Sequence, residues 1–163
     1  MNVHIAVRGA LAGVVGGMVM AMWSMIVLWL TGSGFWQPLN LIAHTVWRDA
    51  PLDARFSLGA ALLGLVVHMM TSMMVGVVFA LAMQRIHGNL AAVAGLGMAV
   101  GVVMWLVMQY AVWRIVDPGA ARAFTPWVFG VGHAMFGLAI GLVVGAPTAA
   151  PVRHGIASNR WAQ

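Results

Sequence analysis

Residues 58–83, LGAALLGLVVHMMTSMMVGVVFALAM, run without one charged side chain. At about 1.5 Å of rise per residue, a helix of this length outreaches the hydrocarbon core of a bilayer, about 30 Å thick. Three further stretches read the same way, at about 5–30, 90–112 and 126–146. None of the four holds an acidic residue, and Arg8 sits close enough to the end of the first to snorkel. The first stretch is too long for the apolar region of a signal peptide, so it counts as a span.

Composition agrees. Hydrophobic residues make up 63% of the chain and charged residues 7%, against about 25% charged in a soluble domain. So few charges cannot coat a water-exposed surface. The chain has no cysteine and no lysine, which excludes disulfides, thiolate metal sites and Schiff-base chemistry. A net charge of +5 invites a nucleic-acid reading, but the arginines stand singly at span ends, as membrane topology requires.

The connections have their own signals. Residues 35–56 form the longest loop, and Trp36, Leu39, Ile42, Ala43 and Val46 recur there at helical spacing. This predicts a short amphipathic helix at the membrane interface. Asp117-Pro118-Gly119 marks a turn, and Thr125-Pro126 is a helix start with a capping side chain. Arginines split evenly: Arg8, Arg85, Arg153 and Arg160 on one side, Arg48, Arg55, Arg114 and Arg122 on the other. Both termini are assigned to the cytoplasmic side of a bacterial-type inner membrane. Trp36, Trp47, Trp113 and Trp127 then form an outer aromatic belt.

The chain also matches itself. A shift of 82 residues (104 − 22) lays Ala10, Ala12, Gly13 and Met22-Trp23 on Ala92, Ala94, Gly95 and Met104-Trp105. A shift of 65 (133 − 68) lays Val66, His68, Met70, Gly76 and Val78 on Val131, His133, Met135, Gly141 and Val143. The expected fold is therefore all-α: one four-span membrane domain made of two similar hairpins in parallel repeat, with an interfacial helix in the first loop.

His4, His87 and His154 fall near the cytoplasmic ends and read as solvated; His44 reads as an amphipathic surface residue. His68 and His133 lie inside spans, where an ionisable residue is a functional hypothesis. The row Ala60, Gly64, His68, Ser72, Gly76, Ala80 and the row Phe129, His133, Gly137, Gly141, Gly145 each share a helix face. Such small-residue rows face other helices, as do Gly9, Gly13 and Gly17 on the first span and Gly97 and Gly101 on the third. Both histidines then point into the bundle, with Trp23 and Trp105 at a similar level. Opposed across a pseudo-axis, they would suit the axial positions of a b-type haem, with Trp23 and Trp105 lining its pocket. On residue type alone, hydrogen-bonded bundle glue outweighs haem, and haem outweighs a lone metal ion or proton or quinone chemistry.

Fourteen methionines raise Cu(I), with Met22, Met70, Met104 and Met135 as candidate thioether ligands. Met is also an adaptable apolar filler, and packing is the stronger reading. Without carboxylates in the spans, a hydrolase or an ion-driven transporter has little support. The expected function is that of a small non-catalytic membrane subunit. It would carry haem b for electron transfer or act as an accessory subunit, with protein partners or a second copy and no nucleic acid. Cu(I) handling and a small channel or transporter are the alternatives.

Overall fold

The computed structural model describes residues 3–86 and 88–147. His87, Arg153, His154 and Arg160 lie outside them. Among the described residues the fold is all-helical, with no strand. Four helices are long and apolar enough to cross a membrane: α1 (Val3–Leu30), α3 (Leu58–Met83), α4 (Leu90–Val116) and α6 (Pro126–Gly145). Two short helices complete the chain, α2 (Gln37–His44) and α5 (Pro118–Ala123).

Local chemistry sets the boundaries. Ser57 accepts a hydrogen bond from the Ala60 N–H and starts α3; Asn89 does the same with Ala92 and starts α4. Thr125 precedes α6 but makes no capping bond, so Pro126 in the first turn carries that start. The chain leaves α1 through Gly34, whose φ of 103° is open to glycine and whose N–H returns to the Leu28 carbonyl at 2.9 Å. α4 runs four residues past its expected end at 112, through a π-helical stretch, Met108–Val112.

The first loop differs from expectation. Only Gln37–His44 is helical, and Pro38, Leu39, Asn40, Leu41 and Ala43 are all buried. A helix buried by five of its eight residues is not a one-sided surface helix. It packs on α3, where Gly64 leaves no room for a side chain beneath the Leu39 carbonyl. Val46 and Trp47, at the far end of the expected stripe, are exposed. The Asn40 amide donates to the carbonyls of Asp53 and Arg55, both at 2.9 Å, and folds the rest of the loop back onto α2.

The long helices pack in the order α3, α1, α6, α4; α3 and α4 hardly touch. The close pairs rest on glycine. A Cβ on Gly13 would strike the Ser72 carbonyl, and one on Gly76 the Gly9 carbonyl; Gly17 lies against the Ser72 side chain. In the second pair Gly97 meets the Gly137 carbonyl, Gly101 the His133 carbonyl and Gly141 the Val93 carbonyl, while Gly145 sits against Val93. These contacts relate α1 to α4 by 84 residues (97 − 13, 93 − 9) and α3 to α6 by 65 (137 − 72, 141 − 76). The first offset is two more than the gapless match of 82. Arg8 ties the ends: its guanidinium donates to the Val143 carbonyl at 3.1 and 2.8 Å and to that of Ala146. It thereby caps the negative end of the α6 dipole.

Candidate functional site

Because α3 and α4 do not pack, a cavity of about 470 Å³ lies between them, floored by α1 and α6. Ligand pockets in proteins span about 300–1,000 Å³. The walls are mostly apolar: Val67, Met74 and Val75 from α3, Met104, Met108 and Val112 from α4, Phe129 and Phe136 from α6. The polar groups among them are few. They are His68, Thr71 and Ser72 on α3, Trp105 and Gln109 on α4, His133 on α6 and Thr45 after α2.

Both spanning-helix histidines therefore face one cavity. Each is fixed by one hydrogen bond to a backbone carbonyl. His68 donates from Nε2 to Gly17 of α1 at 2.9 Å, and His133 donates from Nδ1 to Phe129, one turn back on α6, at 2.7 Å. A neutral imidazole that gives its one N–H to a carbonyl keeps a lone pair on the other nitrogen. Metal-ligating histidines are oriented in this way, the second ring nitrogen donating to a carbonyl or carboxylate.

The two tryptophans part company. Trp105 lines the cavity, and its indole N–H is buried without an acceptor among the described residues. Trp23 is not among the lining residues; its N–H donates to the Val128 carbonyl at 2.9 Å and pins α1 to α6. Among the methionines, Met104 lines the cavity, whereas Met22 and Met70 are 58% and 61% exposed and Met135 is not part of the lining. Met20, Met74 and Met108 line it instead. No cluster of three or more His, Cys, Asp or Glu at metal-binding spacing occurs among the described residues.

Gln109 was not singled out from the sequence. It is 7% exposed, lies in the π-helical stretch, faces the cavity, and its amide has no hydrogen-bond partner among the described residues. A π-turn costs helix geometry and marks functional sites often enough to be informative. The signal available was a lone amide in an otherwise apolar stretch.

At one end of the cavity stands a second feature, a polar clamp. Asp117 is 1% exposed. Its carboxylate accepts from His44 Nδ1 at 2.5 Å, from Arg48 Nη1 at 2.9 Å and from the Ala120 N–H at 3.0 Å. Burial pushes its pKa up, but the Ala120 N–H, His44 and Arg48 outweigh that and hold it below the usual carboxylate value. Arg48 also donates to the Val116 carbonyl at 2.7 Å. His44 is thus a paired, half-buried residue and not the surface residue its position suggested. Ile42 and Thr45 beside it, and Trp113, Val116 and Phe124 opposite, line the cavity. The clamp joins the α2–α3 side to the α4–α5 side where the long helices do not meet.

Neither a family model, nor a curated protein, nor a solved structure matches this chain.

Proposed function

We propose that the chain is an integral membrane protein whose α3–α4 cavity binds a b-type haem, with His133 as an axial ligand. It would serve electron transfer or act as a cofactor-bearing accessory subunit of a larger membrane complex. One observation carries this reading: His68 and His133 line the same cavity, each fixed by a carbonyl at one ring nitrogen and left with a lone pair on the other. The apolar walls suit a macrocycle, and the Trp105 ring is a flat surface against which it would lie. The matched glycine contacts support an origin as two similar hairpins, with α2 lying at the interface at one end of the bundle.

The test is an absorption spectrum of detergent-purified protein expressed with ample haem, air-oxidised and then dithionite-reduced. A Soret band that His133→Ala abolishes is the expected result. A featureless visible spectrum in the wild type refutes the reading. Co-purification of larger subunits at fixed stoichiometry in mild detergent would distinguish the accessory role from a free-standing carrier.

A second reading has one observation in its favour: Met20, Met74, Met104 and Met108 share the cavity with the two histidines. Thioether and imidazole together suit Cu(I). Stoichiometric copper after anaerobic Cu(I) loading, lost when Met104 and Met108 become Leu, would favour it over haem.

A further inference from the structure

We infer that the α3–α4 cavity also takes an isoprenoid quinone from the bilayer, a neutral ligand that needs no metal. The inference does not rest on the haem reading. Quinone and haem are alternative occupants of one cavity, and the electron-transfer role is common to both.

Charge and access come first. Among the described residues that line the cavity there is no arginine and no carboxylate. The charges at its clamped end, Asp117 and Arg48, are paired with each other at 2.9 Å. An unpaired charge is costly in apolar surroundings, so the walls favour an uncharged ligand. The way in is lateral. α3 and α4 hardly touch, and Met74 of α3 is 62% exposed yet belongs to the cavity wall. A side chain that faces both the bilayer and the cavity stands at an opening between them. Molecules that enter there are dissolved in lipid.

The polar groups narrow the class. Gln109 is 7% exposed and lies seven residues before the end of α4 (116 − 109), about 10 Å inside the span. It lines the cavity, and its amide has no partner among the described residues. A primary amide both donates and accepts. His133 gives Nδ1 to the Phe129 carbonyl and keeps an acceptor nitrogen, Nε2, on a ring that lines the same cavity. A ligand oxygen that alternates between carbonyl and hydroxyl is served in both states. The carbonyl accepts from the amide N–H; the hydroxyl donates to the amide oxygen or to His133 Nε2. Quinone and quinol are that pair, whereas a fixed ester or alcohol uses half of the set and a hydrocarbon none. A cavity of about 470 Å³ lies in the range of small-molecule pockets, and the isoprenoid chain leaves it by the seam into lipid.

The probe is a ubiquinone analogue with a decyl chain, titrated into the haem-free full chain in lipid nanodiscs. Binding is read by quenching of tryptophan fluorescence, since Trp105 and Trp113 stand in the cavity wall. Saturable quenching is expected above the linear part due to quinone dissolved in the lipid. Gln109→Leu should weaken it about tenfold, the loss of one hydrogen bond. That variant removes a buried unpaired amide, so it should resist SDS at least as well as the wild type, which separates lost binding from misfolding. Decylbenzene, similar in shape but without the oxygens, should not compete. Linear quenching alone, equal binding by Gln109→Leu, or equal competition by decylbenzene would each overturn the inference, the last leaving a plain hydrocarbon pocket. Haem-loaded chain should not bind the quinone; undiminished binding there would put the quinone outside the cavity and overturn the inference too. A missing Soret band after haem loading brings down the haem reading alone, because the quinone titration is run on haem-free protein.

Discussion

Asp117→Asn tests whether the clamp over the cavity is structural in the way its geometry implies. The substitution keeps size and leaves Oδ1 to cap α5, so it removes charge alone from a carboxylate that is 1% exposed. The bond from His44, 13% exposed at its side chain, is charge-assisted, worth about 1.5–3 kcal/mol. Arg48 is 55% exposed at its side chain, so solvent screens its share to about 0–1 kcal/mol. The expected loss is about 1.5–4 kcal/mol. Asp117→Ala also removes the cap, for about 1 kcal/mol more. SDS titration in mixed micelles, followed by tryptophan fluorescence, measures the loss.

The clamp holds together two sides that otherwise do not pack, so the same change should open the cavity end. The chain has no cysteine, which makes a single Thr45→Cys a clean reporter. A 2 kcal/mol shift in a local opening equilibrium speeds thiol labelling about 30-fold. The pH dependence has a fixed sign. The folded pKa of Asp117 lies below its unfolded value, so its contribution is complete above the unfolded value, near 4. It disappears as pH falls through the folded value, and Asp117→Asn should be flat over that window. Stability within about 0.5 kcal/mol of wild type, with unchanged labelling at position 45, would refute the reasoning.

Other expectations concern the packing. Gly13→Leu and Gly137→Leu should each destabilise by about 1–3 kcal/mol or more, because a side chain there meets backbone of the partner helix. Gly95→Leu, on the same helix as Gly97 but with nothing within 4 Å, should be neutral in the same SDS titration. Trp23→Phe removes the N–H donated to the Val128 carbonyl and should cost about 0.5–1.5 kcal/mol in thermal unfolding, without altering any cofactor spectrum. Arg8→Met should free the Val143 and Ala146 carbonyls, speeding proteolysis near residue 146 while leaving the rest of the bundle intact.

The long helices were legible because each depends on its own residues: a long apolar run, and for the last a proline at 126. The glycine rows were legible for the same reason, since spacing alone places Gly9, Gly13 and Gly17 on one face. What depends on distant partners was not. Nothing local to His44 announces Asp117, 73 residues away. Read alone, Asp117-Pro118-Gly119 is a turn; buried beside an arginine and a histidine, the same aspartate is the centre of a clamp. Trp23 and Trp105 look equivalent by a shift of 82, but the contacts run at 84. A difference of two residues turns a helical position by about 200°. That rotation separates an indole that pins two helices from one that lines a cavity.

The open seam also has a physical cause in the side chains. Where α1 meets α6, Gly16 lies against the Phe136 carbonyl and Gly132 against Met20 and Ser24, so the helices close. Where α3 faces α4, the lining residues are Val67, Met74, Val75, Met104, Trp105 and Met108, with no glycine among them, and the π-turn displaces the α4 backbone. The cavity opens along the α3–α4 seam, where two kinds of occupant could enter it. A lipid acyl chain matches the apolar walls but offers no partner to the polar groups of His68, His133 and Gln109. A flat apolar ligand with a few polar or metal contacts fills the same volume and satisfies those groups as well. The walls alone do not choose between the two occupants; the proposal of a cofactor rests on the three polar side chains.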